Sequence, residues 1–312
     1  MDKKQIAESL IENGVEKGQA EIVASCFYTA DLYGVTSHGA AILPAHIDRI
    51  KKGGYNLKPN FKVIRETAAF ALIDGDNSMG SVCADYCMNY AIEKCKDSGV
   101  FTVFSKNNNT FGPAFYYPLK AAEKGYIGFI CSNSPAQMPL VGGAEKMLGT
   151  NPFSAVIPVP NGEPIIIDMA TSVVAKSKFK EYKEKGLPIP EGWALDINGN
   201  PTTDPDEAIK GFVLPFANFK GYSIAMLIDI LAGALSGAAF LNKVGRFYSE
   251  DKSSMNVGFY LTVIDPYAVF GEEWDKVIAD YVRTARESKT FKDKKIALPG
   301  DDRTEKAKLH KR

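Results

Sequence analysis

Residues 224–241 constrain this chain more than any other stretch, because they are almost wholly apolar. A run of that length reads first as a membrane span. Asp229 stands inside it, and a carboxylate facing lipid would be strongly unfavourable. The small residues Gly233, Ala234, Ser236, Gly237, Ala238 and Ala239 instead allow close packing between elements. The stretch is therefore expected to be a buried helix packed on neighbours, in a soluble globular protein. A hydrophobic fraction of 45% and a charged fraction of 24% suit that class. Lys plus Arg number 37 and Asp plus Glu 37, so no basic surplus exists for nucleic acid or an anionic membrane. The length fits one large domain or two closely knit ones.

Proton chemistry near neutral pH falls to few residues, since the only histidines are His38, His46 and His310. His310 lies in a charged C-terminal run. His38 follows Ser37, a good N-cap for a helix expected to reach about Lys52 and stop at Gly53-Gly54. A histidine at a helix N-terminus would favour an anion beside it; the plainer reading is a capped helix with a surface histidine. The five cysteines, Cys26, Cys83, Cys87, Cys95 and Cys131, form no Cys-x-x-Cys pair. Their odd number and the polar N-terminus imply reduced thiols in a cytoplasm. Scattered histidines offer no histidine-rich metal site, and no metal is expected.

Helical spacing covers residues 3–13 and 18–33, so the first 52 residues are expected to be helical. Two short strands over 61–73 and a helix over 81–96 follow. Residues 100–104, 113–124 and 127–131 form a β–α–β pattern, whose first loop, 106–112, sits where α/β proteins keep ligands. Strands are expected over 153–159 and 165–168, with Asp168 at a strand-to-helix junction whose free amides would suit a phosphate; taken alone, an N-cap role for Asp168 is the simpler alternative. Residues 184–206 are a polar excursion, a surface lobe or lid. A late strand over 256–264, an amphipathic helix over 272–288 and a solvated tail from Asp301 complete the chain. No Gly-x-Gly-x-x-Gly, Walker loop or Gly-x-Ser-x-Gly occurs.

Several segments together carry a resemblance: Asp31-Leu32-Tyr33-Gly34-Val35-Thr36-Ser37-His38-Gly39, Leu148-Gly149-Thr150-Asn151-Pro152 and Asp168-Met169-Ala170-Thr171-Ser172. Ile189-Pro190-Glu191-Gly192-Trp193-Ala194-Leu195-Asp196, Pro201-Thr202-Thr203-Asp204-Pro205 and Lys220-Gly221-Tyr222 extend it over nearly the whole chain. The sequence resembles the type 2 malate/L-lactate dehydrogenase family, with its ureidoglycolate, sulfolactate, diketogulonate and ketimine branches. The resemblance implies an α/β, non-Rossmann NAD(P)-binding fold and a homodimeric oxidoreductase using NAD or NADP on a small-molecule substrate. It further implies a helical segment 1–60 packing with 250–312 and a cofactor-binding region 61–249, in one interwoven unit. Ser134, Ile167, Asp168, Met169, Ala170, Thr171, Ser172, Phe219, Lys220, Pro299, Gly300 and Asp301 match positions that would line the cofactor. His38 matches the proton donor to a C=O or C=N group, Ser37 would orient the ring or substrate, and Asp168 would hold the imidazolium. His46 matches no catalytic position and is read as structural.

Departures from the family pattern bear on the substrate. A histidine in the Asn-His-Phe-Gly loop is Thr110 here, and an arginine that grips a carboxylate is Ile42. Phe219 and Phe259 also replace histidines, and Thr110, Ile42 and Phe259 are expected to face the substrate. An enzyme with a less polar pocket is the first reading; a cofactor-binding protein that has lost catalysis, serving as a partner subunit, is the second.

Overall fold

Capping and apolar spacing set the N-terminal helices. In the computed structural model, which describes residues 1–248, 254–292 and 294–310, α1 (Lys3–Glu12) opens on a capping box between Asp2 and Gln5. It buries Ile6 and Leu10, while α2 (Lys17–Leu32) buries Val23, Cys26, Phe27 and Ala30. The expected helix at Ser37 is not there. Two 3-10 turns, Thr36–His38 and Ala40–Ile42, come first, and α3 spans Leu43–Lys51. Two features account for the delay. The Asp31 carboxylate accepts the Ala40 N–H at 2.9 Å. Gly39 runs so close behind that a Cβ there would lie 1.8 Å from Asp31 Oδ1. Pro44, lacking an N–H, then sits in the first turn of α3, where none is needed.

A seven-stranded sheet forms the body. Its strands are β1 (Lys62–Glu66), β2 (Phe70–Asp74), β3 (Val100–Asn108) and β4 (Ile127–Ser132). After the small pair β5 (Met138–Pro139) and β6 (Lys146–Leu148) come β7 (Phe153–Ile157) and β8 (Ile165–Met169). The short β9 (Ala194–Leu195), β10 (Pro201–Thr202) and β11 (Phe212–Val213) pair among themselves, and β12 (Val257–Ile264) returns to the large sheet. The order is β1-β2-β3-β12-β4-β7-β8. β3 and β4 run the same way, as the β–α–β pattern requires, yet β12 lies between them and pairs antiparallel with both. Helix α4 (Gly80–Ser98), ended by left-handed Gly99, and α5 (Tyr116–Ala122) cover the sheet. The main core includes Phe27, Met88, Ile92, Phe101, Phe259 and Leu261, each side chain contributing about 1.5–3 kcal/mol by burial.

The polar excursion is a lobe rather than a loose lid. Helices α6 (Ser177–Glu184) and α7 (Pro205–Lys210) pack with the short sheet on a second core of Phe179, Ile189, Ala194, Ala208 and Val213. Helix α8 (Phe219–Ile228) continues as a π-helical turn, Asp229–Ala234. Its inner face buries Ala225, Ile228 and Ala232, but Phe219, Leu227, Ile230 and Leu235 are exposed. The expected full burial of this stretch is thus corrected to burial of one face. Asp229 is a buried network partner, its carboxylate accepting from Leu241 N–H at 3.0 Å and Asn133 Nδ2 at 3.5 Å. Burial raises its pKa, opposed by those bonds. No helix among the described residues is long and apolar enough to cross a membrane.

Helices α9 (Pro266–Phe270), α10 (Trp274–Arg286) and α11 (Asp301–His310) end the described chain. The expected solvated tail is therefore a helix up to His310; residues 311–312 lie outside the described set. Asp301 starts it by accepting the Leu298 N–H at 2.8 Å and pairing with Arg286. Thr304 and Ala307 bury one side, and the Lys306 side chain lies over Gly34.

Candidate active site

A cavity of about 240 Å³ opens where four segments meet. The turns before α3 supply Ser37, His38 and Ile42, and α3 itself His46; the loop after β3 supplies Thr110 and Phe111. The end of β4 gives Ser134, joined by Thr150, while Phe247, Met255 and Val257 close the far side. Among the described residues no lysine, arginine, aspartate or glutamate lines it.

Buried amides hold these walls in register. Asn151 accepts the Ser134 N–H at 3.0 Å and donates to Ala225 O at 2.9 Å, tying β4's end to α8. Asn133 accepts the Gly258 N–H at 2.9 Å and donates to Ala239 O at 2.7 Å. Asn109 donates to Ser78 O and accepts from Arg49 Nη2, at 2.8 and 2.9 Å. The 106–112 loop is thus partly scaffold: Asn108 and Asn109 are fully buried, and only the part from Thr110 onward faces the cavity.

His38 is exposed on the cavity wall, its Nδ1 bonded to Ser37 Oγ at 2.9 Å. Desolvation by the surrounding atoms lowers its pKa below the usual imidazole value, and the charge of Asp168 opposes that shift. Ser37 is therefore a ring-holding partner and not a helix cap. Asp168 does not bond the imidazole; it pairs with Arg303 of α11, whose Nη2 also donates to Asp168 O at 3.2 Å. His46, eight residues on, is buried at the cavity's inner side: 1% exposed, bonded through Nδ1 to Tyr55 Oη at 2.9 Å, and tilted against Phe27 and Phe247. Burial first and the Arg49 charge second push its pKa down to about 3.

The expected substrate-facing trio is only partly assembled. Ile42 and Thr110 line the cavity, whereas Phe259 is fully buried in the main core, edge-on to Phe111 at 5.1 Å. A register irregularity between Val257 and Phe259 presents Val257 to the cavity instead.

Candidate cofactor residues form a shelf leading away from Ser134. Thr171 donates both its N–H and its hydroxyl to Thr150 O at 2.9 Å. Its carbonyl accepts the Phe216 N–H, and a Cβ on Gly221 would come within 2.9 Å of it. This brings Phe219 and Lys220, on the first turn of α8, beside Thr171. No helix begins after Asp168; β8 runs into a bend and α6 starts only at Ser177, because the Thr171 amide is already committed and Ser172 bridges Pro215. The Thr171 amide is therefore not one of the free amides expected at this junction. Pro299 O accepts the Ile166 N–H at 2.9 Å, and Gly300 (φ 96°) packs against Ile166, so both flank Ile167 and Asp168 from the free edge of β8. Asp301 itself is held by Arg286.

The shelf suits a dinucleotide. Lys220 is exposed and makes no ion pair among the described residues, which leaves its ammonium for a phosphate. Met169 and Phe219, 44% and 67% exposed, offer apolar faces for planar rings. Sequence reasoning missed Arg303, hidden in what read as a tail. It also missed Lys176, whose pKa burial pushes down to about 8, with Lys146 and Arg246 adding to the effect. Those cations lie far apart in sequence, and no local motif signals that they share a neighbourhood.

Known proteins share this sequence pattern and this fold. A model of the malate/L-lactate dehydrogenase family matches residues 3–312. A malate dehydrogenase of Pyrococcus horikoshii is 39% identical over 91% of this chain and 80% of its own length. The ureidoglycolate dehydrogenase (NAD(+)) of Escherichia coli is 36% identical over 84% of this chain and 74% of its own. The sulfolactate dehydrogenase structure from Methanocaldococcus jannaschii superposes with a TM-score of 0.92 at 36% identity, covering 99% of this chain and 90% of that one.

Proposed function

Since this chain belongs to the malate/L-lactate dehydrogenase family, we propose that it interconverts a 2-hydroxy acid and its 2-oxo acid, with His38 moving the proton. The protein is an oxidoreductase of that family, and NAD or NADP is the cofactor its relatives imply. A bound nicotinamide supplies the hydride for reduction of a C=O, or of the C=N of an imine. The protein's residues do the rest. Ser134, Ile167 to Ser172, Phe219, Lys220, Pro299 and Gly300 hold the dinucleotide, with Lys220 Nζ on a phosphate. Asp301 acts indirectly, fixing the Pro299-Gly300 turn.

The observation that carries the reading is the Ser37–His38 pair on an open cavity wall. With Nδ1–H donated to Ser37 Oγ, Nε2 is left for the substrate. Neutral imidazole accepts the hydroxyl proton during oxidation; imidazolium returns it to the carbonyl oxygen during reduction. Such acid–base help is worth roughly 10²–10⁴-fold. Asp168 favours the charged ring from a distance while anchoring Arg303. No observation favours a catalytically degenerate partner subunit.

Ile42, Phe111, Met255 and Val257 make the wall apolar, which suits a 2-oxo acid with an uncharged side chain better than a dicarboxylate. NADH and NADPH oxidation with 2-oxo acids of graded side chain tests this: turnover by none of them overturns the reading. The exposed stripe Phe219, Leu227, Ile230 and Leu235 supports a homodimer, checked by light scattering. Five unpaired, buried cysteines support a cytoplasmic setting.

A further inference from the structure

His46 does more than fill the core. Its ring is clamped by Phe27, Phe247 and the parallel face of Tyr55, at centroid distances of 5.1, 4.9 and 6.0 Å. Nδ1 is satisfied by the Tyr55 hydroxyl, yet Nε2 is buried with no hydrogen-bond partner among the described residues, and the residue lines the cavity that holds His38. A desolvated ring nitrogen left unpaired is unfavourable, so it calls for a partner, which at a cavity wall is a water or a ligand atom.

The chemistry of the pair fixes what Nε2 offers. The ring is neutral at physiological pH, so one nitrogen carries the only proton. A phenol O–H donates well to an imidazole nitrogen, which places the ring proton on Nε2 and makes that atom a donor. The cavity has no cation on its described walls, and Ile42 cannot bond an oxygen. We propose that His46 is a specificity-determining residue whose Nε2–H donates to a carboxylate oxygen of the 2-oxo acid, a neutral anchor in a cavity with no cation among its described lining residues. This rests on the function proposed above. A clamped ring also fixes where that oxygen sits relative to His38, so the anchor selects short 2-oxo acids over ketones lacking a carboxylate.

The test compares wild type, His46→Phe and His46→Gln, the last placing an amide donor near Nε2. For the best 2-oxo acid, His46→Phe raises KM about 10–100-fold, the loss of one hydrogen bond to a charged acceptor, while kcat and the NADH dissociation constant stay within a few-fold. His46→Gln recovers most of the KM. A folded His46→Phe with unchanged KM, or His46→Gln as impaired as His46→Phe, overturns the proposal. Should the variants not fold, ¹⁵N NMR of wild type with NADH and oxamate decides: a downfield move of the His46 Nε2 proton supports the anchor, and no change overturns it. A wild type inactive with every 2-oxo acid overturns the functional reading instead.

Discussion

The proposed substrate wall and the proposed cofactor shelf adjoin at Ser134 but are built on opposite plans. The wall is enclosed, neutral and largely apolar, drawn from segments as distant as Ile42, Thr110 and Val257. The shelf is open, with Met169, Phe219 and Lys220 at the surface. Enclosure couples a residue's chemistry to the stability of the fold; openness separates the two. A change at a buried wall residue should therefore disturb catalysis and folding together, while a change at an exposed position should touch function alone.

The largest effect expected is that of His38→Ala, which lowers turnover about 10²–10⁴-fold and leaves the NADH dissociation constant within a few-fold. His38 is the wall's exposed member, so its loss should spare the melting temperature; a large fall would break the distinction. Steady-state kinetics and thermal unfolding measure both. The pH profile sharpens the point. With its pKa below about 6.5, His38 keeps oxidation high at neutral pH and loses it as acid protonates the ring. Reduction runs the other way and weakens as pH rises through that pKa.

The next effect is on stability. His46 is neutral when folded down to a pKa of about 3, while an unfolded histidine titrates near 6.5. Between those values the unfolded chain binds the proton, so stability falls as pH falls, by about 1.4 kcal/mol per unit. Denaturant unfolding at pH 7 and pH 5 should show a shallower acid loss for His46→Gln than for wild type; equal slopes would remove His46 from the acid limb.

On the shelf, Lys220→Ala should raise the NAD(P)H dissociation constant about 10-fold, one charge-assisted contact, with no change in melting temperature. An unchanged constant would take Lys220 off the phosphate. The smallest effect is a gain: Ile42→Arg should improve kcat/KM for oxaloacetate a few-fold, about the worth of a partly exposed ion pair. No gain would mean that the apolar wall does not set specificity.

Legibility followed the same division. Shelf residues sit in short local segments such as Asp168-Met169-Ala170, and those segments could be read one at a time. The wall is made by topology. Spacing placed β3, α5 and β4 correctly but could not show β12 entering between the strands, nor that the irregular register at its start turns Val257 toward the cavity and Phe259 into the core. Ser37 looked like a cap because serine caps helices; the Asp31 contact that delays α3 is long-range and silent in the pattern. Arg303 was lost because α11 is highly charged, and only its docking against β8 reveals a structured helix.

The central place of β12 also bears on synthesis. Until residues 257–264 leave the ribosome, β3 and β4 each present an unpaired edge where that strand belongs. From about residue 169 to residue 257 the nascent polypeptide thus carries two unjoined half-sheets, the kind of surface that aggregates or recruits chaperones. The last of the cavity's described wall residues, Val257, arrives with that strand.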